Sequence, residues 1–218
     1  MSAEGGQMGA MTYKCVFGPI FDKLKAAHQG NPEELASIQS LRSSLLNADR
    51  TSPSFLHDLM KILLNNAELN VNLPEAFLRL QASALSQDLE IPQYWNVDEY
   101  HELSARALEL RNVLSRVPED AKSRTVFLRT IHEIAASMKK VLDATTAVIQ
   151  LMPDVHQPAI ERRKREFVSY SKEFSVMLKG YFNGRQSVTQ IWVSANQLIF
   201  HTTQLVLTVS ERARLASR

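Results

Sequence analysis

Glycine is scarce in this sequence: seven occur in 218 residues, and none lies between Gly30 and Gly180. So long a span without glycine argues against a sheet with tight turns and against any glycine-dependent phosphate loop. Cysteine is scarcer still. Cys15 stands alone, so no intramolecular disulfide forms, and with no Asn-x-Ser/Thr sequon the chain fits a reducing cytosol. No charged residue occurs from Gln186 to Ser210, which invites a membrane-spanning reading. Gln190, Ser194, Asn196, Gln197, His201 and Gln204 interrupt that run and leave its apolar residues on one stripe, so a buried bundle helix is expected instead.

What is present is an ordinary globular composition, 44% hydrophobic and 22% charged, punctuated by eight prolines. Several prolines sit where helices start, as in "NPEEL", "TSPSF" and "LPEAF". Short amphipathic helices are predicted around Val16/Ile20/Leu24, Leu35/Ile38/Leu41/Leu45, Phe55/Leu59/Ile62/Leu63 and Phe77/Leu80. Four longer ones are predicted at about 98–117, 120–151, 155–183 and 187–211. The loops between them are short enough to force an up-and-down bundle. The expected organisation is a tail at 1–11, a helical domain at 12–85, a linker at 86–97, a four-helix bundle at 98–211 and a tail at 212–218. Fewer than 80 residues of short helices enclose a small core, so the first domain is expected to lean on a second surface.

No catalytic pattern appears. The six histidines lack metal-ligand spacing, and neither paired cysteines nor an EF-hand, Walker, dinucleotide or Gly-x-Ser-x-Gly motif occurs. No enzyme activity, cofactor or metal is therefore expected. Charge is informative instead: residues 1–98 carry 7 basic and 11 acidic side chains, and residues 99–218 carry 18 and 12. The basic second half points to an acidic partner. Two features could serve it. One is the run "ERRKREF", whose Arg162, Arg163, Lys164 and Arg165 could hold a phosphoinositide headgroup at a membrane surface. Its poor aromatic interleaving argues against nucleic acid.

The other feature combines "SYSKEFSVMLKGYF" with "IHEIAASMKKVLD". Lys172 and Lys179 stand seven residues apart, two helical turns, with Ser175 between them. Ala135, Ala136 and Lys139 flank the core face of the neighbouring helix. Small residues on two antiparallel helices leave a furrow, and lysines along its edges favour an acidic amphipathic helix.

The segments "LMKILLNNAELNVNLPEAFLR", "FLRTIHEIAASMKKVLD", "REFVSYSKEFSVMLKGYF" and "VSANQLI" resemble the cerebral cavernous malformation 3 family, also called the programmed cell death protein 10 family. The resemblance runs from about Tyr13 to Val209, with small length differences near Pro53 and in "NGRQS". It implies an all-α fold: an N-terminal helical dimerisation domain followed by a bundle like focal adhesion targeting domains. It also implies a non-enzymatic adaptor in the cytosol, peripheral at the Golgi and plasma membrane. The partners so implied are germinal centre kinases of subfamily III through the N-terminal domain, with a homodimer when the kinase is absent. Leucine-aspartate motifs of paxillin, the cerebral cavernous malformation 2 protein and striatins would bind the bundle. The implied dimer residues are Leu41, Ser44, Ile62 and Leu63, Ser44 standing where the family has alanine. The implied groove residues are Ala135, Lys139, Lys172, Ser175 and Lys179. His132 replaces a lysine there, which weakens the cationic rim at neutral pH.

Overall fold

A computed structural model describes residues 3–84, 89–91 and 96–216, and among these no strand occurs. The chain is all-α and divides into two compact units, residues 1–73 and 74–218.

The first unit begins with α1 (Ala3–Thr12), continues through a π-helical turn (Tyr13–Phe17) into α2 (Gly18–Ala27), and closes with α3 (Pro32–Thr51) and α4 (Phe55–Asn66). "NPEEL" starts α3 as its sequence suggests. Asn31 Oδ1 accepts from the amides of Glu33 and Glu34, Pro32 takes the first helical position, and the two glutamates face the positive helix end. At α4 the start is different: Pro53 lies outside the helix, and the preceding residue of α4 is Ser54, in left-handed conformation at φ 88°. Asp49, near the end of α3, accepts from the Leu56 amide at 3.0 Å and ties the two helices together.

Residues 1–11 were expected as a tail, yet residues 3–12 are helical and α1 packs on α4. Gln7, Met11 and Thr12 are buried, and Thr12 Oγ1 lies 3.2 Å from His57 Nδ1. Thr12 Oγ1 also donates to the Met8 carbonyl, which leaves His57 Nδ1–H as the donor between them. Glycine permits the approach: a Cβ on Gly9 would stand 2.6 Å from Asp49 Oδ1. Tertiary packing here overrides the poor helix propensity of a glycine-rich segment.

The second unit contains α5 (Leu73–Ala82) apart from its first residue, then α6 (Asp98–Ser115), the single turn α7 (Val117–Asp120), α8 (Arg124–Leu151), α9 (Gln157–Phe182) and α10 (Val188–Ala216). Its core follows a seven-residue repeat. Leu103 and Leu110 of α6, Phe127, Ile134, Val141 and Val148 of α8, Ile160, Phe167 and Phe174 of α9, and Ile191, Leu198 and Leu205 of α10 are all buried. Heptad spacing keeps each seam facing its neighbours at a shallow crossing angle. Each such side chain contributes about 1.5–3 kcal/mol of burial.

Helix α5 falls with the bundle, whereas the sequence placed it in the N-terminal domain. Long-range polar contacts decide this. Asn196 Nδ2 donates to the Pro74 carbonyl at 2.8 Å, buried Arg111 donates to the Ala84 carbonyl at 3.0 Å, and Phe77 and Leu78 are fully buried. Of the linker expected at 86–97, residues 86–88 and 92–95 lie outside the described residues, while Leu89 and Ile91 are buried. The tail expected from 212 continues α10 as far as Ala216, with Ala213 buried; residues 217 and 218 lie outside the described residues.

Candidate functional site

In the bundle, α8 packs closely on α6, and α9 closely on α10, but α8 and α9 approach each other much less closely. Two sets of contacts fix their register. Near one end Phe127 meets Tyr181 and Phe182 at 5.9 and 5.8 Å between ring centroids, and the Arg124 guanidinium lies 5.9 Å from the Phe182 ring. Further along, Lys164 Nζ donates to Thr146 Oγ1 at 2.6 Å. Antiparallel helices held at these two points bring His132 level with Lys179, Ala135 level with Ser175, and Lys139 level with Lys172.

All six residues anticipated for a groove thus lie on facing helices within about two turns. Their exposure separates floor from rim. Ser175 is half-buried and Ala135 and Ala136 are exposed, so no larger side chain fills the seam. His132, Lys139, Lys172 and Lys179 are exposed, and the three lysines make no ion pair among the described residues. Ser175 turns its hydroxyl inward, donating to the Ser171 carbonyl at 3.0 Å, which leaves the floor with little polar demand. The arrangement can accept apolar side chains in the furrow and carboxylates along both edges.

Two contributors escaped the sequence reading. Val176 is 60% exposed on the stripe of Lys172 and Lys179, and Leu128 is 43% exposed one turn before His132. Their helical spacing was visible, but apolar residues at such spacing read as core until a structure shows them uncovered. Asp143, exposed one turn beyond Lys139, brings the cationic stripe of α8 to an end.

The basic run at the start of α9 differs. Arg162 pairs with Glu166 at 3.2 Å, Arg163 with Glu166 at 2.7 Å, and Arg165 with Glu161 at 3.8 Å, while Lys164 is engaged by Thr146. Burial alone would raise the Glu166 carboxyl, but the guanidiniums of Arg163 and Arg162 hold it below its ordinary value. Two carboxylates thus engage the three guanidiniums of this run, whereas the furrow lysines have no ion pair among the described residues.

In the first unit the apolar residues of the expected dimer surface lie open. Leu41 is 55% exposed, Ile62 56% and Leu63 49%, and Ser44 is exposed as well. Helix α3 carries five leucine or isoleucine residues from Leu35 to Leu46, and none of its twenty residues is buried. Ile20 and Leu24 of α2 add to the uncovered area. A helix of this composition draws little stability from burial within its own unit and leaves an apolar face uncovered.

Comparison with known proteins identifies the lineage. Residues 5–70 match the family described as programmed cell death protein 10, dimerisation domain, and residues 71–169 match programmed cell death protein 10, C-terminal. The chain belongs to the programmed cell death protein 10 family. A homolog of that name from Caenorhabditis elegans is 47% identical over 214 residues, covering 98% of this chain and 99% of the relative. The family's dimerisation region coincides with the unit whose apolar residues are uncovered, and its C-terminal region begins within a few residues of the boundary between the units. Among the described residues, no helix is long and apolar enough to cross a membrane, and no group of histidines, cysteines and carboxylates could hold a metal ion.

Proposed function

We propose that this protein is a scaffold that joins two kinds of helical partner. The first unit pairs through Leu41, Ser44, Ile62 and Leu63, either with a second copy or with the helical domain of a germinal centre kinase of subfamily III. The furrow between α8 and α9 holds an acidic amphipathic helix of the leucine-aspartate type, as in paxillin, the cerebral cavernous malformation 2 protein and striatins. Leucines enter over Ala135 and Ser175, and aspartates meet Lys139, Lys172 and Lys179. The observation that carries this reading is the open seam with three lysines unpaired along its edges, beside a basic run whose cations are already engaged.

Fluorescence anisotropy with a labelled leucine-aspartate peptide tests it. Exposed ion pairs contribute ~0.2–1 kcal/mol each, and reversal turns attraction into repulsion, so the double variant K172E/K179E loses about 1–4 kcal/mol, roughly fivefold to several hundredfold in affinity. Unchanged affinity would remove the furrow from the account. Liposome flotation of a variant with Arg162 and Arg165 reversed tests the membrane alternative, for which release of an otherwise bound protein is the positive result.

A further inference from the structure

We propose that Ser52 is a phosphorylation site for a proline-directed serine/threonine kinase. Ser52 is the only serine or threonine in the 218 residues that precedes a proline. It lies in the turn between the end of α3 at Thr51 and the start of α4 at Phe55.

Three hydroxyls crowd this turn, and only one is available. Thr51 Oγ1 donates back to the Asn47 carbonyl at 2.9 Å, and Ser54 Oγ donates to the Asp58 carboxylate at 2.8 Å. Ser52 is exposed, and its side chain makes no hydrogen bond among the described residues. Its backbone, at φ −123° and ψ 89°, has left the helix, as the ring of the following proline requires. A serine out of the helical region, followed by a residue with no N–H, is what a proline-directed kinase can seat without first breaking a hydrogen bond at the +1 position.

The reaction is a phosphoryl transfer from ATP. Ser52 Oγ forms a bond to the γ-phosphorus, the bond from that phosphorus to the bridging β-oxygen breaks, ADP departs, and the hydroxyl proton passes to the aspartate base of the kinase. The product carries about −1.5 to −2 additional charge at neutral pH. It lies two residues from Arg50, which has no ion pair among the described residues, and beside the start of α4, where Asp49 already holds the Leu56 amide. The modification therefore puts charge on the joint between the two helices that carry Leu41, Ile62 and Leu63. It stands independently of the peptide furrow.

The test is incubation of the full-length protein with ATP and a purified kinase of the mitogen-activated class, followed by intact mass and peptide mapping. The expected result is one phosphate on Ser52, lost in S52A, retained in S52T and largely lost in P53A. Because Ser52 is exposed, S52A and S52T should melt as the wild type does. Phosphate mapped to Thr51 or Ser54, incorporation undiminished in P53A, or no incorporation in the wild type would overturn the assignment.

Discussion

Replacing Leu41 and Ile62 by aspartate probes the uncovered face of the first unit. Both side chains are just over half exposed in the single chain, at 55% and 56%, so the substitutions forfeit the covered half of each, about 0.7–1.4 kcal/mol apiece in the monomer. In a dimer the account differs. Full burial of a leucine or isoleucine is worth about 1.5–3 kcal/mol, of which roughly half remains to be gained by a side chain already half covered. A two-fold interface uses each residue twice, so four side chains forfeit about 3–6 kcal/mol, two to four orders of magnitude in Kd. Desolvating unpaired carboxylates adds a further cost of several kcal/mol. Sedimentation equilibrium of wild type and L41D/I62D reads the difference, with V155D as the control, since Val155 is 79% exposed in the second unit. The expected outcome is a folded monomer for the double variant and a dimer for the other two. A double variant that stays dimeric, or a wild type that is monomeric at the same concentration, would refute the reasoning.

Two further outcomes follow from the bundle. N196A removes the donor to the Pro74 carbonyl and to that of Trp192, at 2.8 and 2.9 Å, and should destabilise the second unit by about 1–3 kcal/mol; calorimetry would show a fall in Tm and hydrogen exchange a faster opening of residues 74–82. His201 is buried, stacked on Tyr170 with ring centroids 3.7 Å apart, and burial lowers its pKa to about 4 from 6.5, with Glu166 opposing and Arg163 assisting. Because the unfolded state binds the proton first, this contribution is fully present above pH 6.5 and is lost as pH falls towards 4, by at most about 3 kcal/mol. Denaturant titration of H201F against wild type at pH 7 and pH 4.5 should show the wild type losing more stability on acidification; equal losses would remove His201 as the cause.

The long helices were the most legible part of the chain. Their heptad-spaced core residues repeat over many turns, and the proline-marked loops leave little choice of boundary, so α8 was expected at 120–151 and spans Arg124–Leu151. Residue type and spacing pointed to Ala135, Lys139, Lys172, Ser175 and Lys179, and the structure places them on α8 and α9 with the lysines exposed, while His132 entered only through the family resemblance. Three features were hidden for physical reasons. Helix α1 was obscured by its glycines, whose value lies in letting Gly9 approach Asp49, a contact 40 residues distant in sequence. The placement of α5 depends on Asn196 and Arg111 reaching carbonyls far away in the chain, which no local periodicity encodes. The openness of Leu41, Ile62, Val176 and Leu128 is a property of what fails to cover them, and an apolar residue at helical spacing looks the same whether covered or not.

The central claim is that α8 and α9 hold an acidic amphipathic helix between them. Titration of the labelled full-length protein with a leucine-aspartate peptide, followed by backbone amide chemical shifts, tests it most directly. The account predicts that the largest shifts cluster at Leu128, His132, Ala135, Lys139, Lys172, Ser175, Val176 and Lys179. Shifts concentrated instead at Arg162–Arg165, or on α6 and α10, would contradict it.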